Sequence, residues 1–314
     1  MKKYEFDTII LGGGPAGMSA GLYAARGAVS TAIIDVSGFG GAPSNYLELE
    51  NYPGYTDGGA FEFTEKLEEQ ADKFGVQKFS YQEIEEIDLT SAPKIIRTKE
   101  ATFEAKTVIV AVGAHPKKMD VPGEREFTGR GVSYCAVCDG AFYKDKVVAV
   151  VGGGNAAVEE AVYLTRFASK VYIVHRRDEL RADKIVQERA FKNEKIEFVW
   201  DSAPVEVLGE DAVHTFVIKN VKNGETHRLP VDGVFPYIGF VPNTDKINGQ
   251  LEQDAGGFIV TDATMQTSVD GVFAVGDVRT TPLRQVITAT ADGAVGAVHA
   301  LKYLETLHDM SVKS

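Results

Sequence analysis

Short apolar runs closed by glycine turns recur along this chain and predict strands alternating with helices. Residues 6–11 form a short apolar stretch, residues 12–17 read Gly-Gly-Gly-Pro-Ala-Gly, residues 18–26 carry a helical pattern, and residues 31–34 are apolar again up to Asp35. The order is strand, turn, helix, strand. A shift of 140 positions (152 − 12 = 140) meets the same order: an apolar run at 147–151, Gly-Gly-Gly-Asn-Ala-Ala at 152–157, a helical pattern at 158–167 and an apolar run at 171–174. Residues 7–35 and 147–175 share eight identical positions of 29 without a gap, so two unrelated turns account poorly for the pattern. Residues 272–275 predict a further strand that stops at Gly276-Asp277, ahead of an Ala- and Gly-rich helical segment. Such alternation predicts an α/β fold of two doubly wound, Rossmann-like domains.

Residues 108–112 read as a buried strand, Gly113-Ala114-His115-Pro116 as a linker, and Tyr237-Ile238-Gly239-Phe240-Val241-Pro242-Asn243 as the return. The first domain is then discontinuous, 1–115 plus 246–314, and the second, 116–245, is inserted into it. Two domains suit a length of 314 residues. Acidic residues outnumber basic ones by 45 to 33, a formal charge of −12. That argues against a nucleic-acid or anionic-membrane binder, whose mark is a basic excess. No apolar run approaches the ~20 residues of a membrane span. Glu5 and Asp7 interrupt the basic start, and the first apolar run ends in glycines, not at a cleavage site. The start therefore reads as a strand and not a signal peptide, and the expected location is the cytoplasm.

Gly12, Gly14 and Gly17 satisfy the G-x-G-x-x-G pattern. The first makes a tight turn, the second lets backbone approach a pyrophosphate, and the third lets helix and strand pack closely. The helix start offers free N–H groups to the phosphates. Asp35 lies 18 residues after Gly17 (35 − 17 = 18), where an acid can accept from a ribose diol. In the second copy the corresponding residue is His175, followed by Arg176, Arg177 and Arg181. An acid there would repel a ribose phosphate, whereas guanidinium groups match its geometry. The first site is thus expected to hold a dinucleotide with a free diol and the second NADPH. Downstream, Asp277 can accept from a ribityl hydroxyl, and the helix after Arg284-Gln285 can set its positive end against a flavin.

The chain has two cysteines, Cys135 and Cys138, in one Cys-x-x-Cys with Asp139 next to it. A structural disulfide framework would use more cysteines, spread more widely. A structural zinc needs four ligands, and neither another cysteine nor spaced histidines supply them. The spacing suits a reversible disulfide, and Asp139 can shuttle a proton during exchange. Electrons are then expected to run from NADPH to a flavin to the cysteine pair and on to an external acceptor.

Over essentially its full length the sequence resembles the bacterial low-molecular-weight thioredoxin reductases. The matching residues are Gly12 to Gly17, Glu50-Asn51-Tyr52-Pro53-Gly54, Cys135-Ala136-Val137-Cys138-Asp139, Gly152 to Ala157 with Val158-Glu159-Glu160-Ala161, His175-Arg176-Arg177-Asp178 with Arg181-Ala182, Gly239 with Pro242-Asn243-Thr244, and Gly276-Asp277 with Arg284-Gln285. The resemblance implies a homodimer with FAD and NADPH domains. It implies that Cys138 is the flavin-proximal thiol, that Cys135 attacks thioredoxin, and that Asp139 is the acid–base group. Rotation of the inserted domain would present the flavin with nicotinamide or disulfide in turn. Carried over by motif, the FAD site would take Gly12, Gly14, Pro15, Ala16, Asp35, Gly41, Ala42, Asn51, Ala111, Gly113, Gly276, Asp277, Arg284, Gln285 and Val286. The NADPH site would take Gly152, Gly154, Asn155, Ala156, His175, Arg176, Arg177, Arg181 and Ile238.

Four positions depart from the family pattern. Ala42 stands where Gln is usual beside the flavin, Asp35 where Glu is common, Ala156 where Ser or Thr meets NADPH phosphates, and Ala141 where a second aromatic precedes Phe142 on the thioredoxin-docking surface. Arg130 is retained. A flavoprotein of this fold serving a peroxiredoxin-linked protein or a small disulfide would share every motif.

Overall fold

The first strand is apolar on both faces because both are covered. In the computed structural model, which describes residues 2–45, 49, 51–56, 58–247 and 249–313, Ile9 and Leu11 of β1 (Lys2–Leu11) join one core cluster while Ile10 joins another. The side chains of 45, 138 and 310–313 are not described either, so Glu50 and the Cys138 thiol lie outside the described residues. After β1 come α1 (Pro15–Arg26), β2 (Thr31–Ile34), α2 (Ala60–Lys73), β3 (Gln77–Phe79), β4 (Ile84–Asp88), β5 (Lys94–Thr98), β6 (Ala101–Val110) and β7 (Ala114–Pro116). Next are α3 (Ala136–Asp139), β8 (Val147–Val151), α4 (Asn155–Leu164), β9 (Lys170–Val174), α5 (Lys184–Phe191), β10 (Ile196–Val199), β11 (Ser202–Gly209), β12 (Val213–Asn220), β13 (Thr226–Pro230) and β14 (Gly233–Pro236). The chain closes with β15 (Phe240–Pro242), β16 (Val272–Ala274) and α6 (Val286–Lys313).

Two compact units result, Met1–His115 with Val241–Ser314, and Pro116–Phe240. The chain re-enters the first unit at Val241, ahead of the residue 246 read from sequence, because Asn243 belongs there. Its side chain donates to Val112 O at 2.8 Å and meets His115 Nδ1 at 2.7 Å.

In the first unit the order β3-β2-β1-β6 is parallel, and β16 pairs with the carboxyl half of β6. Leu11 and Ala274 both pair with Val110, so the carboxyl ends of β1, β6 and β16 lie side by side. That edge is where open α/β sheets bind ligands. The antiparallel pair β4–β5 extends the amino half of β6.

The second unit repeats the plan with a parallel sheet β10-β9-β8-β14. Val148 and Val150 face one cluster, Ala149 and Val151 the other. A three-stranded antiparallel sheet, β11-β12-β13, covers the second cluster. Trp200, the chain's single tryptophan, stacks on Phe198 at 4.9 Å between centroids and meets the His175 ring edge-on at 6.5 Å. No helix among the described residues is long and apolar enough to cross a membrane.

Candidate active site

The first glycine loop is built so that only glycine fits at two of its corners. Gly12 has φ 104°, and a Cβ there would stand 2.4 Å from Ala111 O. A Cβ on Gly17 would stand 1.9 Å from Gly12 O, because α1 packs directly on the turn. Gly14 is the N-cap of α1, no side chain caps it, and Pro15 follows within the first turn. The first N–H groups of α1 therefore stay available for an anion. Asp35 directly follows β2 and is tied into the loop: its Oδ2 accepts the Gly13 N–H at 2.6 Å, and its Oδ1 accepts the Ser37 N–H at 2.7 Å. A carboxylate has about four acceptor positions, so capacity for a ribose hydroxyl remains. Gly41, at φ 65°, lies where a Cβ would be 2.8 Å from the Gly14 Cα, and Ala42 beside it is exposed.

The same strand edge gathers the downstream residues. Gly276 has φ 74°, and its Cβ would meet that of Ala16 at 2.9 Å. Asp277 next to it is largely buried, which pushes its carboxyl up against the opposing pull of Arg284. Among the described residues no hydrogen-bond donor reaches the Asp277 carboxylate. Asn51 donates to Gln285 Oε1 at 2.9 Å, joining two residues 234 positions apart. Arg284, expected from sequence at the cofactor, has partners within its own unit. Its guanidinium lies 3.9 Å from the Phe258 ring and donates to the backbone oxygens of Asp277 and Arg279, so it knits the turn together. Sequence reading missed Asp292 on α6, whose Oδ2 accepts from Gly276 N at 3.2 Å and Arg279 Nη1 at 3.1 Å. Gly113, at φ 65°, follows β6, and Val286 opens α6.

In the second unit Gly152 has φ 149°, and Gly154 is again an N-cap without a side-chain cap, with nothing within 4 Å of its would-be Cβ. Ala156 is exposed and carries no hydroxyl. Arg176, Arg177 and Arg181 are exposed, and Arg181 N donates to Gly153 O at 2.7 Å, which ties the arginine segment to the loop. The two side-chain ends of Asn155 bond the Asp183 carboxylate and N–H, at 2.7 and 2.6 Å, and hold the same segment. His175 directly follows β9. It is 4% exposed and lies against Gly153, where a Cβ would be 2.5 Å from the ring. Burial, then Arg181, Arg177 and Arg176, hold its pKa down, and the ring packs beneath the loop and buttresses it. Ile238 is partly exposed beyond β14.

Cys135 is disulfide-bonded, and no described cysteine is free. Its C=O accepts the Asp139 N–H at 3.2 Å and starts α3. Ser133 Oγ accepts the Cys135 N–H at 3.1 Å, and the Tyr134 hydroxyl donates to Glu124 Oε1 at 2.6 Å. Glu124, 3% exposed, also accepts the N–H groups of Met119 and Asp120, so one buried carboxylate staples the approach to Cys135. The Tyr134 phenol is pushed up by burial and by this carboxylate. Asp139 is half-buried, and its charge, after burial, helps push Tyr143 up to about 12. Phe142 is 74% exposed, with Ala141 and Arg130 also exposed.

Helix α4, which packs on α3, carries a largely buried carboxyl. Burial, with Glu159 beside it, pushes Glu160 up to about 7, and its Oε2 has no hydrogen-bond partner. Because the folded-state value exceeds the unfolded one of about 4.5, folding takes up a proton and stability falls as pH climbs toward 7. Glu160→Gln has no such slope. Its gain over the unsubstituted protein is expected to grow by about 2 kcal/mol between pH 5 and pH 8, read as several degrees of Tm. Parallel Tm profiles would show that this carboxyl is solvated.

The family model for pyridine nucleotide-disulphide oxidoreductases matches residues 6–293. The chain belongs to that family. It is 47% identical over 307 residues to a thioredoxin reductase of Peptoclostridium acidaminophilum, covering 96% of this chain and 97% of the relative. It is 45% identical over 305 residues to the thioredoxin reductase of Bacillus subtilis (strain 168), covering 97% and 96%. The crystal structure of Lactococcus lactis thioredoxin reductase superposes with a TM-score of 0.92 at 44% identity, covering 96% of this chain and 99% of that one.

Proposed function

We propose that this chain is an FAD-containing thioredoxin-disulfide reductase that draws electrons from NADPH. The observation that carries the reading is the second glycine loop: an uncapped helix start flanked by Arg176, Arg177 and Arg181, in the same unit as the disulfide-bonded Cys135. FAD is assigned to the first unit and NADPH to the second. The residues present fit both groups. Each glycine loop leaves helix N–H groups without a side-chain partner, and Asp277 offers a desolvated carboxylate that a ribityl hydroxyl would satisfy. Gly12, Gly14, Pro15, Ala16, Asp35, Asn51 and Gln285 would hold the rest of the flavin cofactor.

FAD supplies the two-electron relay between pyridine nucleotide and disulfide. Arg176 and Arg177 bind the 2′-phosphate and select NADPH over NADH. The Cys135–Cys138 pair is the couple. Reduced Cys135 attacks the disulfide of thioredoxin, and Asp139 holds or returns the proton that the thiols exchange. Phe142 and Arg130 belong to the face that meets thioredoxin. The exposed Tyr23, Phe61 and Phe74, on and beside α1 and α2, support assembly as a homodimer.

A second reading, a different disulfide acceptor, is favoured by one observation: Ala141 leaves Phe142 as a lone exposed aromatic. Anaerobic NADPH is expected to bleach the yellow flavin band, and oxidised thioredoxin to restore it. No bleaching would overturn NADPH as the donor. Restoration by a peroxiredoxin-linked protein or a small disulfide, but not by thioredoxin, would select the second reading.

A further inference from the structure

Tyr237 belongs to no nucleotide motif, but it touches both parts of the second unit that the proposed chemistry uses. It follows β14 at the carboxyl edge of the sheet. Its N–H donates to Val151 O at 2.7 Å, at the end of β8. Its carbonyl crowds Gly152 so closely that a Cβ there would stand 2.3 Å from the oxygen. The ring packs against a core cluster with Tyr143, Val158 and Phe235. The hydroxyl then accepts the Ala136 N–H at 2.9 Å, across 101 positions of sequence.

That amide has few alternatives. Cys135 is the N-cap of α3 and Ala136 its first helical residue, since Cys135 O takes the Asp139 N–H. A first-position N–H has no acceptor within its own helix. A capping side chain serves the second or third amide, not the first. Ala136 is 1% exposed, which leaves little room for water. An unpaired donor in such a place is costly, and the Tyr237 phenol oxygen removes that cost. Ser133 and Glu124 act on the approach to Cys135. Tyr237 acts inside the helix itself.

We propose that Tyr237 is a positioning residue of the redox couple: its hydroxyl holds the first turn of the Cys-x-x-Cys helix to the nucleotide-binding strands and so favours the dithiol form. The inference rests on the reading of Cys135 and Cys138 as that couple. While the S–S bond is intact it keeps the cysteines together by itself. Reduction breaks that one bond, adds two electrons and two protons, and leaves two thiols. The turn is then held by hydrogen bonds alone, so losing the hydroxyl weighs more on the reduced form.

Tyr237→Phe keeps the ring and removes the acceptor. Full-length, FAD-loaded protein would be equilibrated in dithiothreitol buffers of graded potential, the free thiols alkylated and counted by mass spectrometry, and amide exchange resolved at Ala136. The equilibrium is expected to move toward disulfide roughly fivefold, the worth of one buried hydrogen bond, which is about 20 mV at 29.6 mV per tenfold. Exchange at Ala136 should quicken in the reduced variant. An equilibrium within about twofold of the unsubstituted protein overturns the proposal, and so does a shift without faster exchange at that amide. In the unsubstituted protein the amide must stay protected in both redox states; rapid exchange after reduction overturns the proposal without any variant. If the unsubstituted thiols fail to titrate as a pair, it is the redox reading of Cys135 and Cys138 that falls.

Discussion

Cys135→Ser is expected to stop thioredoxin reduction while leaving the flavin open to reduction by NADPH. A serine hydroxyl cannot form the mixed disulfide through which exchange runs, and Cys138 alone has no partner in the chain. Steady-state turnover with thioredoxin should drop to background. The anaerobic half-reaction, read as loss of the yellow band, should proceed, because the nucleotide residues of both loops lie outside the change. Retained turnover with thioredoxin would overturn the assignment of Cys135 as the attacking thiol. Loss of both half-reactions would show that the disulfide holds the second unit together, and would assign Cys135 a structural part.

The second large effect belongs to the arginines. Replacing Arg176 and Arg177 together by Ala is expected to raise the KM for NADPH roughly a hundredfold or more and to move that for NADH less than about threefold. Each lost charge-assisted hydrogen bond to phosphate is worth about one to two powers of ten. Both side chains are exposed at the end of β9, so truncation opens no cavity. Equal rises for the two nucleotides would show that the basic cluster does not read the 2′-phosphate. Arg181 differs in kind, since its backbone N–H is bonded to Gly153 O and persists in any side-chain variant.

Positions that tolerate one residue type were the ones legible in sequence. Gly12 and Gly17 are forced by a backbone oxygen within 2.4 and 1.9 Å of where a Cβ would be, so the turn writes itself into the chain. The third glycine of the second copy is Ala157, whose methyl would be 2.7 Å from a Cβ on Gly152; with glycine at 152 the methyl fits, and the motif survives in weakened form. For His175 and Asn155 a motif gives proximity and not direction. His175 turns under Gly153, and Asn155 turns to Asp183. The antiparallel strands β4, β5 and β11–β13 carry no glycine signature and half-polar patterns, and sequence reading passed over them. Tyr237, Glu124 and Asp292 were invisible for another reason. Their partners are backbone amides or side chains brought near only by the finished fold, and any sequence context would serve.

The placement of Trp200 has a practical side. With the only indole of the molecule wedged between Phe198 and His175, ultraviolet emission excited at its red edge comes from the Pro116–Phe240 unit and nowhere else. On the reading above, the visible glow of the isoalloxazine would come from the other unit. Melting watched in these two colours would follow each unit by its own signal, without attaching a dye.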